Sequence, residues 1–303
     1  MSHITLHPTR CAICGTEGNA TELYPANFDL GHFNPEIFSA RRLPDRIHYR
    51  IVNCNKCGLV RSDPVADAAT LGELYRQSTF DYGAEVVSLK RTYGHYLDRL
   101  DAFGARKGAL LEIGCGNGFF LEEARARGYA DVRGVEPGSG VVAQAATGIR
   151  ERIVCDMMRP GLFEPGTFDV VCLFQVFDHI SDPAALLDEC TRVLKGGGHI
   201  LILNHNIESF SARLLGERSP IIDIEHTYLY SPVTLSNLTT NAGLVNRHTG
   251  SVFNHYPLQY IMRLVPIPAL LKRTLLWLLK RSGLGRLPLS VPLGNLFLIA
   301  QKI

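Results

Sequence analysis

Residues Leu110-Leu-Glu-Ile-Gly-Cys-Gly-Asn-Gly118 decide how this chain is expected to fold. An apolar run that ends at Ile113 predicts a short buried strand, and glycines then occupy every second position. Glycine allows a tight turn there and lets a ligand approach the backbone closely. The following residues are apolar at helical spacing, so the first N–H groups of the predicted helix face the turn. Because such turns also close ordinary strand–helix junctions, the neighbouring elements must decide whether this one binds a ligand.

Polar residues follow each of the next predicted strands. These strands are Val132–Glu136, Ile153–Asp156 and Phe168–Phe174, and the last continues into a loop over residues 175–179. In a doubly wound sheet, ligands bind beyond the carboxyl ends of the strands, where these polar residues gather. Glu136 is the leading candidate to accept hydrogen bonds from both hydroxyls of a ribose.

In these features the chain resembles the class I S-adenosylmethionine-dependent methyltransferases, with residues 112–118 corresponding to their first motif. Val176-Phe-Asp-His-Ile-Ser-Asp-Pro183 matches a later loop, although Asp178 stands where glutamate is usual. Val193-Leu-Lys-Gly-Gly-Gly198 matches the next turn, and a helix is expected to end at Lys195, capped by these glycines. The resemblance is close over about residues 105–204. It implies an α/β fold, a Rossmann-like seven-stranded sheet whose last two strands form an antiparallel edge.

The same resemblance implies S-adenosylmethionine as the cofactor. Under it, the glycines flank the methionine part, Glu136 holds the ribose, and Asp156 with Met157 borders the adenine. An aromatic residue ahead of the core covers the cofactor in similar enzymes, and Tyr82 is the candidate here. The cofactor-binding residues expected in full are Glu112, Gly114, Cys115, Gly116, Gly118, Glu136, Pro137, Asp156, Met157, Phe174, Gln175 and Tyr82.

Two histidines are candidate general bases. Methyl transfer is an in-line displacement at a carbon that the sulfonium activates, so a base matters only when the nucleophile starts protonated. His179 follows the fourth strand, and His226 lies in a segment that resembles the acceptor side of the family's pocket. Histidine is the side chain that ordinarily can act as a base near neutral pH, but each of these two reads equally well as a hydrogen-bonded packing histidine. Asp178 is the third catalytic candidate, either orienting His179 or contacting the cofactor.

Two Cys-x-x-Cys-Gly knuckles, Cys11–Gly15 and Cys54–Gly58, precede the sheet. Such turns direct two thiolates each at one tetrahedral ion, so Cys11, Cys14, Cys54 and Cys57 are the expected ligands of a Zn²⁺ ion. A metal-free set of packed cysteines and a redox pair are the alternatives. Four cysteine ligands leave no open coordination position, which favours a structural role for the metal.

The sequence suggests three regions: a zinc-binding module at 1–66, a helical linker at 67–104 that packs on the core, and a methyltransferase domain at 105–303. At 303 residues, 46% hydrophobic, the composition is that of a globular protein. We find no secretory signal in the first residues and expect a cytoplasmic protein.

An insert at residues 256–292 combines apolar and basic residues and is too interrupted to span a bilayer. It could form a lid over the acceptor pocket, a homodimer contact, or a peripheral contact with anionic membrane lipid. The chain carries no Asp or Glu after Glu225, which suits a phosphate-bearing acceptor.

The zinc module ahead of this core is similar to that of C-methyltransferases of nucleotide-linked deoxysugars. A nucleotide sugar, a glycan or a glycolipid precursor is therefore the expected acceptor, small or lipid-linked. An RNA methyltransferase is the alternative, but the module has no basic patch interleaved with aromatic residues, which argues against a nucleic acid partner. A non-catalytic cofactor-binding scaffold is a further alternative.

Overall fold

The computed structural model describes residues 5–28, 46–76, 86–264, 267–292 and 294–303. The described strands, in chain order, are β1 (Leu6–His7), β2 (Ala20–Tyr24), β3 (Ile51–Cys54), β4 (Val60–Ser62), β5 (Val65–Ala66), β6 (Ala109–Ile113), β7 (Asp131–Val135), β8 (Ile153–Val154), β9 (Phe168–Phe174), β10 (Leu194–His205), β11 (Tyr228–Leu229), β12 (Leu244–Ser251), β13 (Asn254–Pro257), β14 (Pro288–Val291) and β15 (Asn295–Lys302). The described α-helices are α1 (Ala68–Arg76), α2 (Val86–Asp98), α3 (Phe119–Ala126), α4 (Ser139–Val142), α5 (Thr147–Arg150), α6 (Pro183–Val193), α7 (Phe210–Leu215), α8 (Pro232–Asn241), α9 (Leu258–Leu264) and α10 (Ala269–Ser282).

The predicted Rossmann-like sheet is confirmed. Its strand order is β12-β15-β10-β9-β6-β7-β8. The five strands from β10 to β8 pair in parallel, and β15 pairs antiparallel to both β10 and β12. The carboxyl ends of β6, β7, β9 and β10 therefore meet at one edge, which positions the loops that follow them.

Alternating side chains cover the two faces of this sheet. Leu111 and Leu173 lie in one apolar cluster with α6 and α8, whereas Leu110 and Cys172 lie in another with α2 and α3. Since the strands are buried on both faces, they read as nearly continuous apolar runs, as parallel strands do.

The helix starts follow from local sequence. The side chain of Asp182 accepts a hydrogen bond from Ala185 N at 3.0 Å, and Pro183 occupies the first turn of α6. Ser231 and Thr234 form a capping box at the start of α8. These contacts satisfy N–H groups that have no partner within the helix.

The cysteine-rich segment forms a second sheet that is completed by a strand from the core. This antiparallel sheet has the order β11-β4-β3-β2, so residues 228–229 pair with β4. Cys11, Cys54 and Leu59 are also buried in the same apolar cluster as α6 and α8. The N-terminal module is therefore joined to the core around the seven-stranded sheet by both backbone pairing and packing.

Two sequence predictions about element ends are wrong. The helix before the triple glycine ends at Val193 rather than Lys195, because Leu194 is extended, fully buried and paired with Phe168 at the start of β10. The glycines belong to an irregular part of β10, where a Cβ on Gly198 would lie 2.9 Å from Lys195 O. The strand predicted over Ile153–Asp156 is β8, which ends at Val154, so Asp156 lies in the loop that follows it.

Candidate active site

The glycine turn after β6 needs glycine for both conformation and space. Gly114, Gly116 and Gly118 have φ angles of 72°, 55° and 74°, a region that side chains with a Cβ rarely adopt. A Cβ on Gly114 would lie 2.2 Å from Cγ2 of Val176, and one on Gly118 would lie 2.4 Å from Cγ2 of Ile149. The turn is consequently packed against the loop after β9 and leads directly into α3.

Glu136, at the end of β7, lies against this turn. Its Oε2 accepts a hydrogen bond from Gly116 N at 3.0 Å, and its Oε1 accepts one from Gly138 N at 2.9 Å. Burial raises the pKa of Glu136, and the two backbone donors act against that rise. Each carboxylate oxygen has two acceptor positions, so Glu136 retains the capacity to accept further hydrogen bonds from a pair of hydroxyls.

Two buried polar groups beside the turn carry unused hydrogen-bonding capacity. Oε2 of Glu112 and Oε1 of Gln175 are buried and have no hydrogen-bond partner among the described residues. Burial raises the pKa of Glu112 well above its ordinary value, and the neighbouring Glu136 raises it further. Gln175 also has φ of 55°, which is strained for a residue with a Cβ. Such features concentrate at functional sites.

The remaining predicted cofactor-binding residues have different surroundings. Asp156 accepts hydrogen bonds from Met157 N at 2.8 Å and from Arg159 Nε at 2.9 Å, and the Arg159 contact is the main cause of its lowered pKa. Pro137 continues from Glu136, and its carbonyl lies 3.9 Å from Cys155 Sγ.

Two other residues predicted to bind the cofactor have side chains that pack in the core. The ring of Phe174 stacks on Tyr93 with centroids 4.3 Å apart, so its side chain packs in the core. Cys115 is buried, and its Sγ lies 2.4 Å from the position that a Cβ on Gly134 would take. Tyr82 lies outside the described residues.

Asp178 is the centre of a histidine cluster beyond the ends of β9 and β10. Its carboxylate is fully buried, and Oδ2 accepts a hydrogen bond from His205 Nδ1 at 2.5 Å. His179 Nε2 lies 3.5 Å from Oδ1, and His226 Nε2 lies 3.8 Å from Oδ2. The structure therefore brings the three predicted catalytic residues together and adds His205.

The charges of this cluster follow from burial and proximity. Burial alone would raise the pKa of Asp178, but the three histidines outweigh it and lower the pKa below the usual range. Burial lowers the pKa of His179 to about 4, against the opposing effect of Asp178. Burial also lowers the pKa of His226, although Asp178 opposes the shift. His179 and His226 are consequently neutral at pH 7, while Asp178 is ionised.

Hydrogen bonds fix the orientation of each imidazole. His226 Nδ1 donates to the carbonyl of Ile221 at 2.8 Å, which leaves Nε2 as the acceptor of the neutral ring. His179 Nδ1 lies 3.0 Å from the hydroxyl of Tyr75. The side chain of His205 is 24% exposed, against 8% for His226, so His205 is the more accessible of the two.

Sequence reasoning missed two members of this cluster. Tyr75, on α1, packs against a core cluster, and nothing in the sequence around it indicates its additional contact with His179. His205 is the last residue of β10, and the rule that ligands bind beyond the carboxyl ends of strands would have identified it.

The four predicted zinc ligands converge in the N-terminal module. Their sulfur atoms all lie within 4.8 Å of one another, with 3.2 Å between Cys11 and Cys57 and 3.6 Å between Cys14 and Cys54. Tetrahedral Zn–S bonds of about 2.3 Å would place sulfurs about 3.8 Å apart, so the donor set fits one zinc ion. All four cysteines are free thiols rather than disulfides.

The module also supports the histidine cluster directly. Ser62, at the end of β4, donates from its hydroxyl to His226 O at 2.9 Å and from its N–H to Thr227 O at 2.9 Å. Thr227 N in turn donates to the carbonyl of Asp178 at 2.8 Å. The segment that carries His226 is therefore held between the cysteine-rich module and the loop after β9.

Comparison with known proteins identifies the family. The family model described as a methyltransferase domain matches residues 88–249, more than half of the chain. The ubiquinone biosynthesis O-methyltransferase of Psychrobacter arcticus is 28% identical over 153 residues, covering 46% of this chain and 59% of that protein. The protein of the same name from Pseudomonas aeruginosa is 30% identical over 132 residues, covering 40% and 55%. The chain thus spans less than two thirds of the length of these relatives.

A solved structure shares the fold. A chain of the complex between the Haloferax volcanii Trm112 methyltransferase activator and a methyltransferase has a TM-score of 0.50 and 17% identity, and the match covers 75% of this chain and 96% of that chain. The likeness at this identity concerns the fold alone. Given the family match, the seven-stranded sheet and the glycine turn, the chain belongs to the S-adenosylmethionine-dependent methyltransferases.

Proposed function

We propose that this protein transfers a methyl group from S-adenosylmethionine to a nucleophile on a small or lipid-linked biosynthetic acceptor. The observation that carries the proposal is the hydrogen bond between Asp178 and His205, at the same edge of the sheet as the glycine turn. At this edge, the glycine turn would bind the cofactor, and the Asp178–His205 pair would supply a base for the acceptor.

For the cofactor side, we propose that Glu136 binds the ribose and that the glycine turn accommodates the methionine part. Support comes from the backbone conformation of the turn and from the spare acceptor capacity of Glu136, Glu112 and Gln175. Asp156 and Met157 border the adenine in this proposal, and their position after β8 is compatible with it. S-adenosylmethionine supplies a carbon that its sulfonium has already activated for displacement.

For the acceptor side, we propose His205 as the general base. Because Nδ1 of His205 donates to Asp178, its Nε2 carries the lone pair that can take a proton. The Asp178 carboxylate then stabilises the imidazolium that forms, as an aspartate does in a catalytic triad. His226 and His179 are more deeply buried and have lowered pKa values, so we assign them to acceptor positioning.

The test is methyl transfer by His205→Ala, with His7→Ala as the control because His7 is exposed and lies on β1, outside the seven-stranded sheet. Release of the demethylated cofactor is measured with nucleotide sugars, polyprenyl-linked sugars, phenols and RNA as acceptors. We expect His205→Ala to lose about 10²–10⁴-fold in kcat with cofactor affinity retained. Full activity in His205→Ala would refute the assignment. Transfer to no acceptor by the wild type would favour the scaffold alternative.

The choice among acceptors rests on different kinds of support. The cysteine-rich module favours a nucleotide sugar or a glycolipid precursor, by its resemblance to sugar C-methyltransferases. The two relatives named as ubiquinone biosynthesis O-methyltransferases make an oxygen nucleophile on a lipid-like acceptor the second candidate. Both acceptors start protonated at the reacting atom, so both need the base that the histidine cluster provides.

We propose that the cysteine-rich module, residues 1–66, binds one structural zinc ion through its four thiolates. Four sulfur ligands saturate a tetrahedral ion, so the metal takes no part in the transfer. Residues 67–104 then link the module to the methyltransferase domain at 105–303. Through Ser62, the module holds the segment that carries His226, which is how a structural metal would influence the active site.

A further inference from the structure

The insert between β12 and β15 stands on a two-stranded stem. β13 and β14 pair antiparallel from Asn254 with Val291 to Pro257 with Pro288. Between them lie α9 and α10, which pack against each other. Among the described residues of α10, none is buried, although the helix carries seven leucine and tryptophan side chains. The apolar side chains of α10 are therefore not fully covered by the rest of the described structure.

One face of α10 is apolar and exposed. Leu270 is 80% exposed, Trp277 is 55% exposed, and Leu271 and Leu278 are about half exposed beside them. These positions follow helical spacing, so their side chains share one face, while Leu275 and Leu279 are partly covered on the other. Leu284 and Leu287, just beyond the helix, extend the exposed apolar surface.

Basic side chains border this face, and no acidic side chain forms an ion pair with them in the part of the chain that the structure describes. Arg273, Lys280, Arg281 and Arg286 are exposed around it, and the guanidinium of Arg281 lies 5.5 Å from the centre of the Trp277 ring. The whole chain after Glu225 contains neither Asp nor Glu. An apolar helix face with tryptophan and a basic border is the pattern that lies in the interface of an anionic bilayer.

We propose that α10 docks the protein on a membrane of anionic phospholipid, with Leu270, Trp277 and Leu278 entering the headgroup region. An anionic lipid accounts for both the exposed apolar face and its basic border, since its acyl chains cover the leucines and its phosphates neutralise the basic side chains. Among the described residues, no helix is long and apolar enough to cross a bilayer, so the contact is with the surface.

A second copy of the chain fits this surface less well. A twofold contact pairs the same patch on both partners, so it would bring Arg273, Lys280 and Arg281 of one copy next to the same residues of the other. The insert has no acidic residue to compensate such a contact. If the docking holds, the active site works beside the bilayer, where a lipid-linked acceptor is presented. The preference for a lipid-linked acceptor rests on the proposed methyl transfer, whereas the docking of α10 on the membrane does not.

Trp277 is the single tryptophan of the chain, so its fluorescence reports on this surface alone. The full-length protein is titrated at low salt with vesicles of phosphatidylcholine and with vesicles containing phosphatidylglycerol. We expect a blue shift and co-sedimentation with the anionic vesicles only, and their loss in 0.5 M salt or so, because screening weakens attraction to the phosphates. Binding to neither vesicle, or equally to both, would overturn the proposal.

Charge-reversal variants separate the local patch from overall charge. Lys280→Glu with Arg281→Glu should weaken partition into anionic vesicles by at least about tenfold. The control is Arg91→Glu with Arg125→Glu, which changes net charge equally at exposed sites outside the insert and should bind as the wild type does. Equal losses in both variants would overturn the proposal.

A blue shift that depends on protein concentration and needs no vesicles would mean self-association and would also overturn the proposal. Cofactor affinity, measured on the same samples, reports separately on the proposed function. Failure of the docking and failure of methyl transfer are thereby distinguishable.

Discussion

Gly114→Ala should destabilise the protein through a specific contact with Val176. Gly114 has φ of 72°, and a Cβ there would lie 2.2 Å from Cγ2 and 3.1 Å from Cγ1 of Val176. The backbone conformation costs a residue with a Cβ about 1–2 kcal/mol. Forcing the extra methyl into this space costs about 1–3 kcal/mol more. The free energy of unfolding should therefore fall by about 2–5 kcal/mol in total.

Gly104 provides the matched control, since its φ is 75° and nothing lies within 4 Å of the position of its Cβ. Gly104→Ala should cost only the conformational part, about 1–2 kcal/mol. Both variants are compared with the wild type by urea unfolding without ligand, and their cofactor affinities are measured separately. We expect only Gly114→Ala to weaken binding, because the displaced loop belongs to the site.

A double variant tests the origin of the effect. Val176→Ala removes both Cγ atoms, so in the Gly114→Ala background it should recover part of the lost stability, with a coupling energy of about 1–3 kcal/mol. Equal destabilisation by Gly114→Ala and Gly104→Ala, or a coupling energy near zero, would refute the packing argument. The turn would then require glycine for its backbone conformation alone.

Three further predictions concern the metal and the buried carboxylates. Metal analysis of the purified protein should find about one zinc per chain, and Cys14→Ser should lower both zinc content and stability; wild-type protein without zinc would contradict the assignment. Asp178→Asn should lower kcat by about 10²–10⁴-fold, since the neutral amide cannot stabilise an imidazolium on His205. The pKa of Asp178 is lowered in the folded protein, so the difference in free energy of unfolding between the wild type and Asp178→Asn should be constant above about pH 5. This difference should shrink as the pH falls below about 3.9, the pKa of Asp in the unfolded chain. A difference that grows on acidification would contradict the charge assignment. Glu112 has a raised pKa in the folded protein, so the free energy of unfolding of the wild type should fall as pH rises above about 4.3. The Glu112→Gln variant should lack this fall. If urea unfolding gave the same pH dependence of stability for both proteins, Glu112 would ionise freely.

The sheet was predictable because its strands and glycine turn are local signals. Apolar runs ending in Ile113 and Phe174 each became buried strands, and Glu136 lies beside the glycine turn as its position after β7 predicts. The end of the helix at Val193 was not predictable from the glycines, because burial of Leu194 in the sheet outweighs the local capping signal.

The candidate site was only partly predictable, because its contacts join residues far apart in the chain. Asp178, His179 and His226 were selected from motif and titration range, and the structure places them together. His205 ends a strand at the ligand-binding edge and was identifiable by that position, but its contact with Asp178 and the contact of Tyr75 with His179 appear only in the three-dimensional arrangement. The same holds for Ser62, whose contact with the segment of His226 depends on the pairing of β4 with β11.

The measurement that tests the central claim most directly is titration calorimetry of the zinc-loaded protein with S-adenosylmethionine and with its demethylated product. We predict micromolar binding of both by the wild type, weakened at least about tenfold in Glu136→Ala through loss of hydrogen bonds to a carboxylate. Glu164→Ala, an exposed glutamate on the loop before β9, should bind as the wild type does. Folded wild-type protein that binds neither ligand would contradict the assignment of the glycine turn and Glu136 to this cofactor.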